Sequence, residues 1–260
     1  MYELSCHQFN HKNQILKTLM FKQSLSKKDV IDISMNLNLF KSHISGFKSP
    51  EEQSDFIDLL VGFRINEIEL NLKNKSRDIL LQKDDRDIGE AIYGKQTWIG
   101  LHPYQLLTPY TVLYKIFSNL NLPINSKIID IGCAYARLGI LLRALRQDYR
   151  FSGLEMVIER VAEGRRVLSD LNCLNSDIKQ IDITDDNFFF EIADLYFCYD
   201  FSSDNDIKKM LNKLEKISHE KSFFLVARGI SINKIISDSQ SWLRPYNDIS
   251  STLIIYKTIK

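Results

Sequence analysis

After Pro123 the sequence takes on a rhythm that few folds can accommodate. Short apolar runs alternate with amphipathic stretches: Lys127–Asp130, Leu138–Leu145, Phe151–Glu155, Val157–Leu171, Ile178–Asp182, Ala193–Tyr199, Ile207–Ile217, Phe223–Ala227 and Thr252–Tyr256. The short runs are too brief for helices and read as buried strands, whereas the longer stretches carry helical spacing. Strands and helices in alternation imply βαβ units, hence an α/β fold with a mostly parallel sheet and helices on both faces. The chain has only 10 Gly and 5 Pro in 260 residues, which argues against a loop-rich all-β sandwich.

Residues before 120 read as helices. Ser26 and Asp29 have capping-box spacing ahead of Val30, Ile31 and Ile33. Ser49-Pro50-Glu51-Glu52 combines a cap, a proline suited to the first helical position and two acids at the positive end of a helix dipole. Apolar spacing behind it predicts one helix over 50–74, kinked near Gly62. Thr108-Pro109 repeats the cap-then-proline signal before Leu113, Ile116, Phe117 and Leu120. The chain therefore divides into a helical region (1–92), a lid or linker with the first helix of the next unit (93–124), and an α/β domain (125–260).

Charge and cysteine usage exclude several classes. Lys and Arg total 34 against 33 acids, so net charge gives no support for nucleic-acid binding. Residues 1–50 hold seven lysines and no arginine against three acids, a mildly basic stretch that reads foremost as a solvated face. The four cysteines (Cys6, Cys133, Cys173, Cys198) lie far apart without CxxC spacing, which suggests neither a disulfide framework nor zinc. Cys6, His7 and His11 lack a fourth ligand, so no metal site is expected. The first residues have neither a basic nor an apolar signal region, and no apolar run approaches about 18 residues. The expectation is a cytoplasmic protein away from membranes, although an effector exported without a cleaved signal has the same features.

The chemistry concentrates at the strand tips. Asp130-Ile-Gly132-Cys-Ala134-Tyr-Ala136-Arg137-Leu-Gly139 falls where the first strand turns into a helix. In open α/β sheets the ligand lies beyond the carboxyl ends of the strands, and small residues let it approach the backbone. Glu155 follows Gly132 by 23 residues, the place of a carboxylate that accepts from ribose hydroxyls. Asp182, ending the third strand, is placed to accept from an adenine amino group, with the backbone of Ile183 framing the base edge. A dinucleotide fingerprint would need G-x-G-x-x-G for its pyrophosphate. Here the three positions are Gly132, Ala134 and Arg137, and Asp130 would repel a pyrophosphate while suiting a cationic amino acid moiety.

Over residues 93–260 these features resemble the class I S-adenosylmethionine-dependent methyltransferases. The resemblance implies a seven-stranded sheet whose last strand is antiparallel, with 222–229 and 251–259 as the closing pair. It implies S-adenosylmethionine as cofactor, with Asp130, Gly132 and Ala134 as the first motif, Glu155 as the ribose acid and Asp182 with Ile183 at the adenine. Tyr93 and Thr108 join the cofactor-binding set by their place before the motif. The family usually has Gly at the position of Ala134 and often at that of Ala136. Where such a position requires φ > 0, alanine is strained.

For the methyl acceptor, Phe197-Cys-Tyr199-Asp200-Phe201 lacks the Asn/Asp-Pro-Pro-Tyr/Phe signature of enzymes that methylate exocyclic amines of nucleic-acid bases or glutamine amides. The order of Tyr93-Gly94, Thr108-Pro109, Gly153-Leu-Glu155 and Tyr196–Phe201 is similar to the non-SET protein-lysine methyltransferases of the histone-core type and their prokaryotic relatives. By that likeness Tyr199, Asp200 and Phe201 are the catalytic candidates: two apolar walls that favour a neutral amine, and an acceptor for its hydrogen bond. A protein substrate follows, with RNA, a small molecule or a non-catalytic nucleoside-binding role as alternatives. Trp98 and His102 are candidate lid residues, and Trp242–Tyr246 is a candidate border of the substrate entrance or a capping loop.

Overall fold

The computed structural model describes residues 25–80, 97–146 and 148–259, with backbone only over 76–80. Among the described residues four helices come first: α1 (Lys27–Ser34), α2 (Asn38–Lys41), α3 (Pro50–Val61) and α4 (Ile65–Leu80). The capping box forms as expected, with Asp29 N donating to Ser26 Oγ and Ser26 N to Asp29 Oδ2. The kink expected near Gly62 is instead a full break. Gly62 takes φ 93 and ψ 15, a left-handed cap that ends α3 and lets the chain turn before α4.

Two further helices, α5 (Pro103–Leu106) and α6 (Tyr110–Ser118), lead into the sheet. The cap expected from Thr108 does not form: Pro109 occupies the N-cap, one residue later than the sequence implies. The Tyr110 N–H is satisfied in trans by Ser54 Oγ of α3, at 3.0 Å.

The sheet comprises β1 (Lys127–Ile131), β2 (Arg150–Glu155), β3 (Ser176–Gln180), β4 (Leu195–Tyr199), β5 (Phe224–Arg228), β6 (Leu243–Ser250) and β7 (Leu253–Thr258). Between them lie α7 (Arg137–Leu145), α8 (Ile158–Asp170), α9 (Asp204–Ser218) and α10 (Ile230–Ser239). The order is β3-β2-β1-β4-β5-β7-β6, parallel through β5, with β7 antiparallel to β5 and β6 antiparallel to β7. This is the α/β architecture expected, including the antiparallel closing pair. The strand missed in the sequence is β6, and it begins at the segment considered as an entrance loop. Pro245 cannot donate to a ladder and is tolerated because β6 is an edge strand with two register shifts.

Side chains alternate cleanly across the sheet. Leu195, Phe197 and Val226 face a core shared with α3, α6, α7 and α8, while Tyr196, Cys198, Leu225 and Ala227 face α9 and α10. The N-terminal helices thus bury their apolar faces on the same side of the sheet that α7 and α8 cover. The cysteines Cys133, Cys173 and Cys198 are buried free thiols. Among the described residues no helix is long and apolar enough to cross a membrane, and no group of His, Cys, Asp and Glu is arranged to hold a metal.

Candidate functional site

The strand order reverses between β1 and β4, so the loops leaving their carboxyl ends diverge and leave a crevice. A cleft of about 740 Å³ opens there, within the size range of small-molecule and cofactor sites. Gly132 and Ala134 line it from the turn after β1, Glu155 and Met156 from the end of β2, and Asp182 and Ile183 from the loop after β3. Tyr199, Asp200 and Phe201 continue it past β4, and Thr97, Trp98, Tyr104 and Leu106 close it from the segment before α6. Four strand tips that the sequence marked therefore meet in one cavity.

The turn after β1 is tightly wound. Gly132, Ala134 and Ala136 have φ values of 72°, 46° and 62°. Both alanines occupy the left-handed conformation that glycine adopts without penalty, at a cost of about 1–2 kcal/mol each. The turn is lashed to β2: Gly132 N and Cys133 N donate to Leu154 O at 2.9 and 3.1 Å, and Ala134 N donates to Glu155 Oε2 at 3.0 Å. Gly132 is also sterically required, because a Cβ there would lie 2.7 Å from Cβ of Phe201.

Glu155 serves the fold before it serves a ligand. Its Oε1 accepts from Met156 N and Val157 N at 2.9 and 2.8 Å, and its Oε2 accepts from Ala134 N. A carboxylate offers about four lone-pair directions. Three are taken by backbone here, leaving room for one ribose hydroxyl in this conformation, against the two expected. Asp182 lies two residues beyond the end of β3, and its Oδ1 accepts from Thr184 N and Oγ1 at 2.9 and 2.7 Å. Ile183 and Thr184 of that turn line the cleft, and the Ile183 carbonyl accepts from Lys213 Nζ at 3.0 Å.

Asp130 sits behind the turn, 6% exposed, in a narrow recess it shares with Gly132, Arg137 and Thr108. Burial, and secondarily the Glu155 charge, raise its carboxyl to about 8. Neither Asp130 nor Thr108 lines the main cleft; the Thr108 carbonyl accepts from Arg137 Nη1. Tyr93 lies outside the described residues.

Arg137, which stands where a dinucleotide fingerprint would have its third glycine, does not line the main cleft. It turns away into the protein, where Nε donates to Asp58 at 2.9 and 3.1 Å, and Nη2 pairs with Asp58 and Asp55. Tyr110 OH donates to the same Asp58 at 3.0 Å. An acid from α3 thus anchors the first residue of α7.

The three acceptor-side candidates have distinct surroundings. Tyr199 stacks under the Arg228 guanidinium, 4.2 Å from ring centre to Cζ. Phe201 packs against Gly132. The Asp200 carboxylate caps α10, with Oδ2 and Oδ1 accepting from Ser231 N and Ile232 N at 3.1 and 2.9 Å. A Cβ on Gly229 would come within 2.1 Å of Asp200 Cγ, so glycine is what admits this cap. Two of its roughly four acceptor directions are thus taken by backbone, and Asp200 still lines the cleft.

Of the lid candidates, Trp98 lines the cleft and its Nε1 donates to Asp200 O at 2.7 Å. His102 does not line it; its Nδ1 caps α5 by accepting from Tyr104 N. Trp242 is buried against Gln240, away from the cleft. Sequence reasoning missed Arg160, buried at 2% exposure beside the cleft and paired with Glu69, and Thr97, whose Oγ1 is buried with no partner among the described residues. Arg160 carried no visible signal, because its partner is 91 residues away.

No protein-family model matches the chain, and no curated protein matches it. Among solved structures, a mutant of MtNAS in complex with S-adenosylmethionine is 13% identical, covers 98% of this chain and 99% of its own, and has a TM-score of 0.45. A SAM-dependent methyltransferase from Aquifex aeolicus is 11% identical over 60% of this chain and 93% of its own, with a TM-score of 0.44. A precorrin-6y C5,15-methyltransferase from Geobacter metallireducens is 16% identical over 59% and 89%, with a TM-score of 0.43.

Proposed function

We propose that the chain is an S-adenosylmethionine-dependent methyltransferase that N-methylates a protein side chain, with lysine favoured as acceptor. The observation that carries this reading is the shared cleft: Gly132 and Ala134 of the turn, Glu155, Asp182 and the Tyr199–Phe201 segment line one cavity, as a nucleoside, a methyl donor and an acceptor together require. The residues present fit such a cofactor. Gly132 keeps the floor free of a side chain, Glu155 retains one acceptor direction for a ribose hydroxyl, and Thr97 Oγ1, without a partner among the described residues, is a buried donor and acceptor. The Ile183–Thr184 backbone would frame the base, and Asp130 stands behind the turn as a buried acid suited to a nearby ammonium.

The sulfonium of the cofactor supplies an activated methyl group. The chain's part is alignment and exclusion of water. Phe201 and Tyr199 would wall the acceptor's path, and apolar walls favour the neutral, nucleophilic amine. Asp200, with acceptor directions left beside its two bonds to α10, would accept the amine's hydrogen bond, and the Asp204 carboxylate and the Ser202 and Ser203 hydroxyls line the same end. A second reading, nucleoside binding without transfer, draws on the two left-handed alanines, whose strain lowers the fidelity of the turn.

The test is transfer of labelled methyl from S-adenosylmethionine to a lysate protein, lost in Glu155→Ala and in Asp130→Ala. Label that nuclease removes, or that appears only at low mass, would point to RNA or a small molecule. Absence of S-adenosylhomocysteine binding by the wild-type chain would refute the methyltransferase reading.

A further inference from the structure

Glu69 lies on α4, outside the α/β domain, yet it is 95% buried and its carboxylate sits at the meeting point of three segments. Its Oε1 accepts from Tyr135 OH at 2.8 Å, and Tyr135 lies between the two left-handed alanines of the turn that floors the cleft. The same carboxylate takes a two-point pair from Arg160 on α8, through Nε at 2.8 Å and Nη2 at 3.1 Å. The remaining reach of Arg160 goes to the roof: Nη1 donates to Thr97 O at 2.9 Å, and Nη2 points at Trp98 O at 3.5 Å. Trp98 crosses the cleft and fastens its indole N–H to Asp200 O on the far side. Trp98 itself has φ 55, a conformation a bulky side chain adopts only when its surroundings impose it.

We propose that Glu69 is a positioning residue of the cleft, holding its floor through Tyr135 and its roof through Arg160, so that a helix of the N-terminal region sets the distance between the two. The inference rests on reading the cleft as the S-adenosylmethionine site. A bidentate carboxylate–guanidinium pair has fixed geometry, so the length of the acid matters as well as its charge. Were Glu69 present only to neutralise Arg160, any carboxylate would serve. As a positioning residue, it should not tolerate the loss of one methylene.

Glu69→Asp separates these roles, because it keeps the charge and shortens the reach. The measurements are calorimetric titration with S-adenosylhomocysteine and emission from Trp98 in a Trp242→Phe background, which leaves Trp98 as the sole tryptophan. The expected result is binding weakened about tenfold or more, with Trp98 emission shifted to the red and a protein that still unfolds in one cooperative thermal transition. Glu69→Gln/Arg160→Met removes both charges without stranding either, and it should give the same loss of affinity with a folded protein. Affinity within twofold of wild type in either folded variant overturns the inference. Unfolding of both variants would also overturn it, since it would make Glu69 a stability element. If the wild-type chain itself fails to bind S-adenosylhomocysteine, it is the functional reading that falls.

Discussion

Substituting Gly132 by alanine probes the floor of the cleft with two separable costs. The first is conformational: at φ 72 an L-residue loses about 1–2 kcal/mol relative to glycine. The second is steric. The new Cβ would lie 2.7 Å from Cβ of Phe201 and 3.8 Å from its Cα, so relief requires backbone movement of one segment or the other. Overpacking of this kind costs about 1–3 kcal/mol, which brings the total to about 2–5 kcal/mol. For a chain of this size that is a fall in thermal midpoint of about 4–20 °C. The two shares can be told apart because the clash is with Cβ. In a Phe201→Ala background the Cβ remains, and Gly132→Ala should keep its full cost. In a Phe201→Gly background the contact is gone, and the cost should drop to the conformational 1–2 kcal/mol or so. Urea denaturation of the six proteins gives the cycle. A Gly132→Ala cost below about 0.5 kcal/mol, or an equal cost in both Phe201 backgrounds, would refute the argument.

Three further outcomes follow from the same geometry. Arg137→Met leaves Asp58 buried without its counter-charge and should cost about 3–5 kcal/mol, while Asp58→Asn/Arg137→Met should recover most of it in a double-mutant cycle. Ala136→Gly should change stability by less than about 1 kcal/mol, because relief of the left-handed strain is offset by chain entropy and by the loss of a buried methyl; a loss above about 2 kcal/mol would mean the alanine is not strained. Asp130 holds its proton up to about pH 8 in the fold but releases it near 3.8 when unfolded, so stability should decline as pH rises through that window and level off above it. Asp130→Asn should abolish that decline in chemical denaturation at pH 5, 7 and 9, and an undiminished slope would remove Asp130 as its source.

What the sequence made legible was whatever depends on local pattern. The continuous apolar run Leu195–Cys198 and the small-residue turn after Lys127–Ile131 are near-neighbour signals, and the sheet, its crossing point and the cleft follow from them. The break at Gly62 looked like a kink because apolar spacing continues across it, and only its left-handed backbone separates α3 from α4. The strand β6 was hidden by Pro245 and by its polar, solvent-facing residues, both of which an edge position permits. The cleft's second layer was invisible for a different reason. Asp200 reads as a free acid until α10 is seen to start above it, and nothing near Arg137 in the sequence points to Asp58, 79 residues earlier.

That separation also orders events during synthesis. The ribosome delivers α3 and α4 well before β1, so Asp58 and Glu69 emerge as ordinary hydrated carboxylates on nascent helices. Their guanidinium partners arrive 79 and 91 residues later, already facing countercharges as the apolar faces close around them. A polypeptide begun at residue 97 would lose both acids, and it would leave Arg137, Arg160 and the apolar surface that α3 and α4 cover facing water. The α/β half of this molecule is therefore not a portable cassette, and any graft onto another scaffold must bring the two carboxylates with it.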